Sequence, residues 1–525
     1  MRLASSMTII ILILLVTGTA FATTIDVICF NDLHGALTER GSNVGMAKLV
    51  GALREAHLKN PNTIVVSGGD NYQGSAISNM TMGAPLSEMF KILGLSASAI
   101  GNHEFDWGVQ CMPKWAQDGD FSFLAANIFV KKTGKPVPWA QPYLIVEREN
   151  FKIGFIGFAT LETPYQTKVE NIEDLNFIAA DSCASYWVDF LTKGKAAEGT
   201  PDVIIALTHI PSNQDEGTKK ITGLELDRLT RVKGLDAVIS GHSHRVVCGH
   251  MNGIPVVQAF AYGRVLGKLS INTETKEIIP TVDLLYERKN TIPEDAETKK
   301  ILIKFKQQLL PILNEKIGEA TADFIHGRHS FIVSPLGRWV CDMIKEKYKA
   351  DVVIYNGGGL RRPLYKGDIT TGDIYEIMPF DNYLVLFDLT GADLKQAIEH
   401  GILNDTIANG QFSGLKLEYD PTLPFGQRIT SFKAKKEVLW GLWTVWKDVD
   451  PNAYYKVCVN DFMYASGREI GGDKYNFSGA RNVEYTNEII RDLLVKLIRK
   501  KGRLSPKKVD YIIERKTNQP NLQYY

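Results

Sequence analysis

Residues 25–35 read Ile25-Asp26-Val27-Ile28-Cys29-Phe30-Asn31-Asp32-Leu33-His34-Gly35, a β-branched apolar run that stops on an amide, a carboxylate, an imidazole and a glycine. Such a run predicts a buried strand, Ile25–Phe30, that delivers polar groups at its carboxyl end. The same grammar recurs downstream. Thr63–Ser67 leads into Gly68-Gly69-Asp70-Asn71, and Ala97–Ile100 into Gly101-Asn102-His103-Glu104-Phe105-Asp106. Asp202–Leu207 leads into Thr208-His209, Ala237–Ser240 into Gly241-His242-Ser243-His244, and Phe151–Phe158 supplies a further strand. Helical patterns lie between them, so residues 25–290 predict a layered α/β domain whose chemistry sits on loops at strand ends.

Asp32 and His34 are two residues apart, as are His242 and His244. Extended backbone sends i and i+2 to the same side, so each pair is expected to aim at one point. The adjacent glycines let the chain turn sharply beneath them. Two carboxylates (Asp32, Asp70), four imidazoles (His34, His209, His242, His244) and one amide (Asn102) suit two divalent metal ions, zinc or manganese rather than a calcium cage. One Asp can bridge ions roughly 3.5–4 Å apart, and the net positive cluster acidifies a bound water and attracts phosphate. A lone strand-end Asp or His is commonly a cap. Five of the chain's ten histidines fall in these segments, which sets them apart from caps.

The ordered set D-L-H-G, G-G-D-N, G-N-H-E-F-D, T-H and G-H-S-H resembles that of the calcineurin-like metallophosphoesterases, and within them the exported 5′-nucleotidase family of UshA-type enzymes and ecto-5′-nucleotidases. The resemblance implies an amino-terminal α/β/β/α sandwich with the metals at one edge. Asp32, His34 and His244 would hold the first ion, Asn102, His209 and His242 the second, and Asp70 both. His244 departs from the nucleotidases, which often carry Gln or Asn there, but is the residue of the broader superfamily. His103 and Asp106 are the implied catalytic pair: an imidazolium stabilises charge growing on the phosphoryl oxygens, and a carboxylate three residues on orients the ring and raises its pKa. Glu104 is read as structural.

A charged stretch from Glu287 to about Ala320 contains a helix-like segment, Thr298–Leu310, which Pro311 is expected to interrupt. A second α/β domain follows, anchored by the strand Val352–Tyr355 and the helix Gly391–Gly401. Its Asn356-Gly357-Gly358-Gly359-Leu360-Arg361, Pro379-Phe380 and Asn460-Asp461-Phe462 followed by Gly471-Gly472-Asp473 are similar to the nucleotide-binding half of the same family. The resemblance implies that Phe380 and Phe462 clamp a base, Arg361 and Asn356 contact the nucleotide beside Gly358, and Asp473 binds ribose. Residues 464–470 lengthen the spacing, so Tyr464 is a possible substitute for Phe462. Arg328, between His326 and His329, stands out of register with the relatives' arginines.

The chain opens with Met1-Arg2, an apolar run from Ile9 to Val16 and Ala20-Phe21-Ala22, which reads as a signal peptide cleaved after Ala22. The expected organisation is a leader at 1–22, a metallophosphoesterase domain at 23–290, a helix-bearing linker at 291–325 and a carboxyl-terminal substrate-binding domain at 326–515. Localisation is expected to be periplasmic or secreted, with no stable membrane anchor. Cys29 and Cys341 lie in apolar runs and read as buried thiols. Lys and Arg number 60 against 59 Asp and Glu, so no basic excess exists to grip a nucleic-acid polymer. The expected reaction is hydrolysis of nucleoside 5′-monophosphates by a metal-activated hydroxide, with rotation of the second domain carrying the small-molecule nucleotide to the metals. The alternatives are a broader phosphoesterase acting on 2′,3′-cyclic nucleotides or UDP-sugars, and a non-catalytic secreted nucleotide-binding protein.

Overall fold

The structure, a computed structural model, describes residues 23–327, 333–402, 410–420, 422–424, 426–438, 443–466, 477–507 and 512–514. The leader expected at 1–22, Arg328, His329 and Asp473 lie outside them.

The first half builds two six-stranded sheets. One runs in the order Ile278–Asp283, Leu266–Asn272, Thr24–Phe30, Ile64–Ser67, Leu95–Ala99 and Ser122–Leu124. Its last four strands are parallel, and the first two close the edge as an antiparallel hairpin. The other runs Val246–Met251, Ile254–Ala259, Ala237–Gly241, Val203–Pro211, Phe151–Ala159 and Tyr143–Arg148. The central strands are apolar on both faces because both faces are covered. Val27, Val66 and Ala97 meet Phe155, Ile205 and Val257 in the layer between the sheets. The opposite faces pack under helices, Met46–Lys59 and Ala84–Leu93 on one side and Ala180–Thr192 on the other. This is the four-layer α/β/β/α arrangement.

The helix after the first domain runs Ala296–Leu313 and continues through Pro311, contrary to the expected interruption. Pro311 stands in the last turn, where its missing N–H removes a single bond near an end that is already short of them. Phe305 and Leu309 pack into the first domain's outer apolar layer, and Asp295 caps the start by accepting from the Thr298 N–H at 2.8 Å. The segment is therefore a docked helix.

The second half is centred on a five-stranded sheet ordered Gly410–Ser413, Val352–Asn356, Tyr454–Asn460, Tyr383–Thr390 and Arg481–Ile489. Pro335–Tyr348 and Ile490–Lys501 cover one face, Gly391–Ile402 the other. All six cysteines are free thiols, with Cys29, Cys341 and Cys458 buried. Among the described residues no helix is long and apolar enough to cross a membrane.

Candidate metal centre and substrate cavity

The loops leaving Thr24–Phe30 and Ile64–Ser67 run side by side past the sheet edge. Asp32 N–H donates to the Gly69 carbonyl at 2.8 Å, His34 N–H to Asp70 at 3.0 Å and Gly35 N–H to Asn71 at 2.8 Å. Along them Asp32, His34 and Asp70 adopt left-handed backbone, as do His242 and His244 on a third loop, with φ between +47° and +72°. This corrects the extended-backbone expectation. Each such residue costs on the order of 1–3 kcal/mol unless its surroundings fix it. Here Glu104 does much of the fixing: buried, it accepts from the Asp70 and Gly101 N–H groups at 2.7 and 2.8 Å and from the Asn71 N–H at 2.7 Å. Gly101 has no alternative, since a Cβ there would stand 2.1 Å from the Asp70 carboxylate.

His242 and His244 do not share a target. His244 Nε2 lies 3.0 Å from His34 Nε2 and 3.2 Å from Asp32 Oδ1, whereas His242 Nδ1 lies 3.3 Å from His209 Nε2. His209 Nε2 is in turn 3.1 Å from Asp70 Oδ2. His209 sits inside the strand Val203–Pro211, which extends past the predicted Leu207. Among the described residues three groups have ligand atoms within 4.8 Å of one another: Asp32–His34–His244, Asp70–His209–His242, and His34–Asp70–His103.

The ring orientations follow from the backbone. His34 Nδ1 faces the Gln73 carbonyl at 3.2 Å and His209 Nδ1 faces the Gly68 carbonyl at 2.6 Å. A carbonyl only accepts, so both Nδ1 atoms carry hydrogen and both Nε2 atoms turn inward. Asp32 Oδ1 and Asn102 Oδ1 are buried in this centre without a hydrogen-bond partner among the described residues. Orphaned oxygens beside inward imidazole nitrogens are the donor set a divalent metal ion satisfies, so the residues present fit the cation. The carboxylates draw positive charge into the centre: burial would lower His209, but Asp70 and Asp32 outweigh it and raise the ring to about 10. Burial alone would raise the Asp32 carboxyl, but the His244 and His209 imidazoles hold it down at about 2. Burial and the neighbouring His244 push His34 well below the usual imidazole range.

His103 Nδ1 meets Asp106 Oδ2 at 2.7 Å, and its backbone N–H donates to Asp70 Oδ1 at 2.9 Å. Burial disfavours an imidazolium, yet Asp106 and Asp70 outweigh it and raise His103 to about 9. Thr167 Oγ donates to the other Asp106 oxygen at 3.1 Å.

A cavity of about 860 Å³ joins this centre to the second domain, with Asn356, Gly358, Arg361, Phe380 and Phe462 on its wall together with His103. Asp473 lies outside the described residues. The Arg361 guanidinium stands 4.9 Å from the Phe380 ring centre, and its Nη2 donates to the Tyr262 hydroxyl at 2.9 Å. Asn356 Oδ1 accepts from Asn460 at 2.8 Å. Tyr464, the alternative to Phe462, is buried in the core against Phe387 with ring centres 5.2 Å apart. His326 bonds the Ser334 hydroxyl at 2.7 Å and the Gly357 carbonyl at 3.1 Å, holding the glycine turn from behind. Glu162 and Tyr262 also line the cavity; Glu162 adjoins no glycine or histidine, and Tyr262, although beside Gly263, follows no strand-end run of acidic or imidazole side chains that would mark it.

Residues 25–246 match the family model of calcineurin-like phosphoesterases, and residues 316–473 that of the 5′-nucleotidase C-terminal domain. The chain is 28% identical over 466 residues to endonuclease YhcR of Bacillus subtilis, covering 83% of this chain and 37% of that protein. It is 27% identical over 533 residues to the trifunctional nucleotide phosphoesterase protein YfkN of the same organism, covering 91% of this chain and 34% of that protein. The chain thus spans little more than a third of the length of these relatives. A crystal structure of a 5′-nucleotidase precursor from Thermus thermophilus superposes with a TM-score of 0.73 at 24% identity, over 95% of this chain and 100% of that one.

Proposed function

The chain is a two-domain member of the calcineurin-like phosphoesterases that carry a 5′-nucleotidase C-terminal domain, and from that premise we propose that it hydrolyses nucleoside 5′-monophosphates to nucleoside and phosphate. One observation carries the reading: the lining of a single cavity holds His34, Asp70, His242 and His244 of the first domain together with Asn356, Arg361 and Phe380 of the second. A phosphate and a nucleoside have their recognition groups within one enclosure.

In this reading Asp32, His34 and His244 would hold one divalent ion, Asn102, His209 and His242 would hold a second, and Asp70 would be a ligand to the pair. When bound, such a pair supplies Lewis acidity that ionises water and offsets phosphate charge. The chain's own groups do the rest. His103, kept protonated by Asp106, has Nδ1 committed and Nε2–H left to donate to a phosphoryl oxygen as charge grows there. Arg361 offers a planar fork to the nucleotide, and Phe380 and Phe462 offer aromatic faces to its base. Water supplies oxygen to phosphorus as the bond to the 5′-oxygen breaks, and the departing oxygen takes a proton. Asp473 on the ribose, export after cleavage at Ala22, and the division at 23–290, 291–325 and 326–515 belong to the same proposal.

The test is turnover of AMP, a 2′,3′-cyclic nucleotide, UDP-glucose and a short oligonucleotide by chelator-treated, metal-restored protein, with the products of each separated and identified by chromatography. The reading expects AMP to be turned over fastest, with zinc, manganese or cobalt restoring activity. Turnover of the other substrates without AMP hydrolysis would overturn it.

A further inference from the structure

We infer that Glu162 is a positioning residue for one of the two cation sites: its carboxylate fixes the ring of His242 and, through Gln166, the amide of Asn102. The inference rests on the two-ion reading above and adds a group that none of the sequence motifs contains.

Glu162 stands just past the strand Phe151–Ala159, at the start of a short turn over Thr163–Tyr165. Its Oε2 lies 3.2 Å from His242 Nε2 and accepts from Gln166 Nε2 at 2.6 Å. An ionised carboxylate only accepts, so His242 Nε2 must carry the hydrogen. That leaves Nδ1 with the lone pair, on the side facing His209 and Asp70. The opposite tautomer would point an N–H at the cation and remove a ligand. Gln166 works on the neighbouring donor. Its backbone carbonyl accepts from Asn102 Nδ2 at 3.0 Å, which decides the amide flip and turns the unpartnered Asn102 Oδ1 into the site. Two ligands of the same ion are thus oriented from one turn.

The side chains of the other site are oriented by groups other than Glu162. His34 is oriented by the Gln73 carbonyl, and Asp32 by Asn31 Nδ2 at 2.6 Å and the His242 N–H at 2.9 Å. Loss of the Glu162 carboxylate therefore acts selectively. The bland alternative is a surface ion pair, worth about 0–1 kcal/mol to the fold and nothing to a ligand. The Glu162 side chain is 43% exposed, so truncating it opens no core cavity and the variant folds.

The experiment is a zinc titration of the full-length, chelator-stripped chain by calorimetry, with bound metal counted by elemental analysis. Glu162→Ala is expected to weaken one of two ions by about 10–100-fold and leave the other as in the wild type. Glu162→Gln keeps an acceptor for His242 and is expected to retain most of the affinity at both sites. The metal-free melting temperature is expected to be the same in all three proteins. Unchanged binding in Glu162→Ala, equal weakening of both ions, or Glu162→Gln as impaired as Glu162→Ala would overturn the inference. A wild-type stoichiometry of one would count against the two-ion reading, and Glu162→Ala holding that ion at wild-type affinity would then count against Glu162 too.

Discussion

The imidazole of His103 lies nearly parallel to the ring of Phe380, with planes 22° apart and centroids at 5.4 Å, although one belongs to each domain. The second domain is therefore seated directly over the centre. The Pro379 carbonyl is held there by Gln73 Nε2 at 2.8 Å and by Asn79 Nδ2, both from the first domain. The Arg361 guanidinium stands 4.9 Å from the centre of the same Phe380 ring.

Phe380→Ala is expected to raise KM for AMP by roughly 5- to 150-fold, the equivalent of about 1–3 kcal/mol for one base–aromatic contact. The loss should be smaller with p-nitrophenyl phosphate, which has no nucleobase. Steady-state kinetics on both substrates check this, and equal losses on both would count against a base-stacking role.

His103→Ala is expected to lower kcat by about 10²- to 10³-fold, the usual loss on removing one donor aimed at developing charge. Bound metal should be unchanged, because the His103 Nδ1 is committed to Asp106. Elemental analysis beside kinetics separates lost chemistry from lost metal.

The same residue sets a pH limb. His103 is raised to about 9, so its imidazolium persists below that value and is lost as pH rises through it. A cation bound beside Asp70 would repel the imidazolium and place the limb at or below 9. Activity should therefore fall on the alkaline side, and Asp106→Asn, which removes the main raising influence, should move the fall to lower pH. A limb that does not move in the variant would remove His103 from the assignment.

Glu104→Ala leaves the N–H groups of Asp70, Asn71 and Gly101 buried without the acceptor they have in the native chain. At about 1–3 kcal/mol for each unsatisfied group, the first domain should lose at least about 3 kcal/mol. Denaturant titration of the metal-free variant measures it. Metal affinity should fall as well, since the Asp70 loop is no longer fixed.

The layered fold was legible, and so was the convergence of Asp32, His34, Asp70, His209, His242 and His244, because each lies in or just after an apolar strand and several adjoin a glycine, as in Phe30-Asn31-Asp32-Leu33-His34-Gly35. Backbone sign was not legible. Nothing in a sequence says that His242 and His244 are both left-handed, and that rotation is what sends them to different clusters. Glu162 escaped for another reason: a group that acts by orienting a ligand needs only an acceptor at the right distance, and many side chains supply one. Pro311 misled because its helix is held by burial of Phe305 and Leu309, which local propensity does not see. The choice between Phe462 and Tyr464 turned on which face of the short helix Asp461–Ser466 meets the core.

In the proposed centre Asp70 would stand between two bound cations. Anomalous diffraction from crystals grown with manganese or zinc tests it most directly. Two peaks are predicted, roughly 3.5–4 Å apart, one bordered by Asp32, His34 and His244 and the other by Asn102, His209 and His242. A map without peaks at these side chains, or with a single peak away from Asp70, would contradict the account.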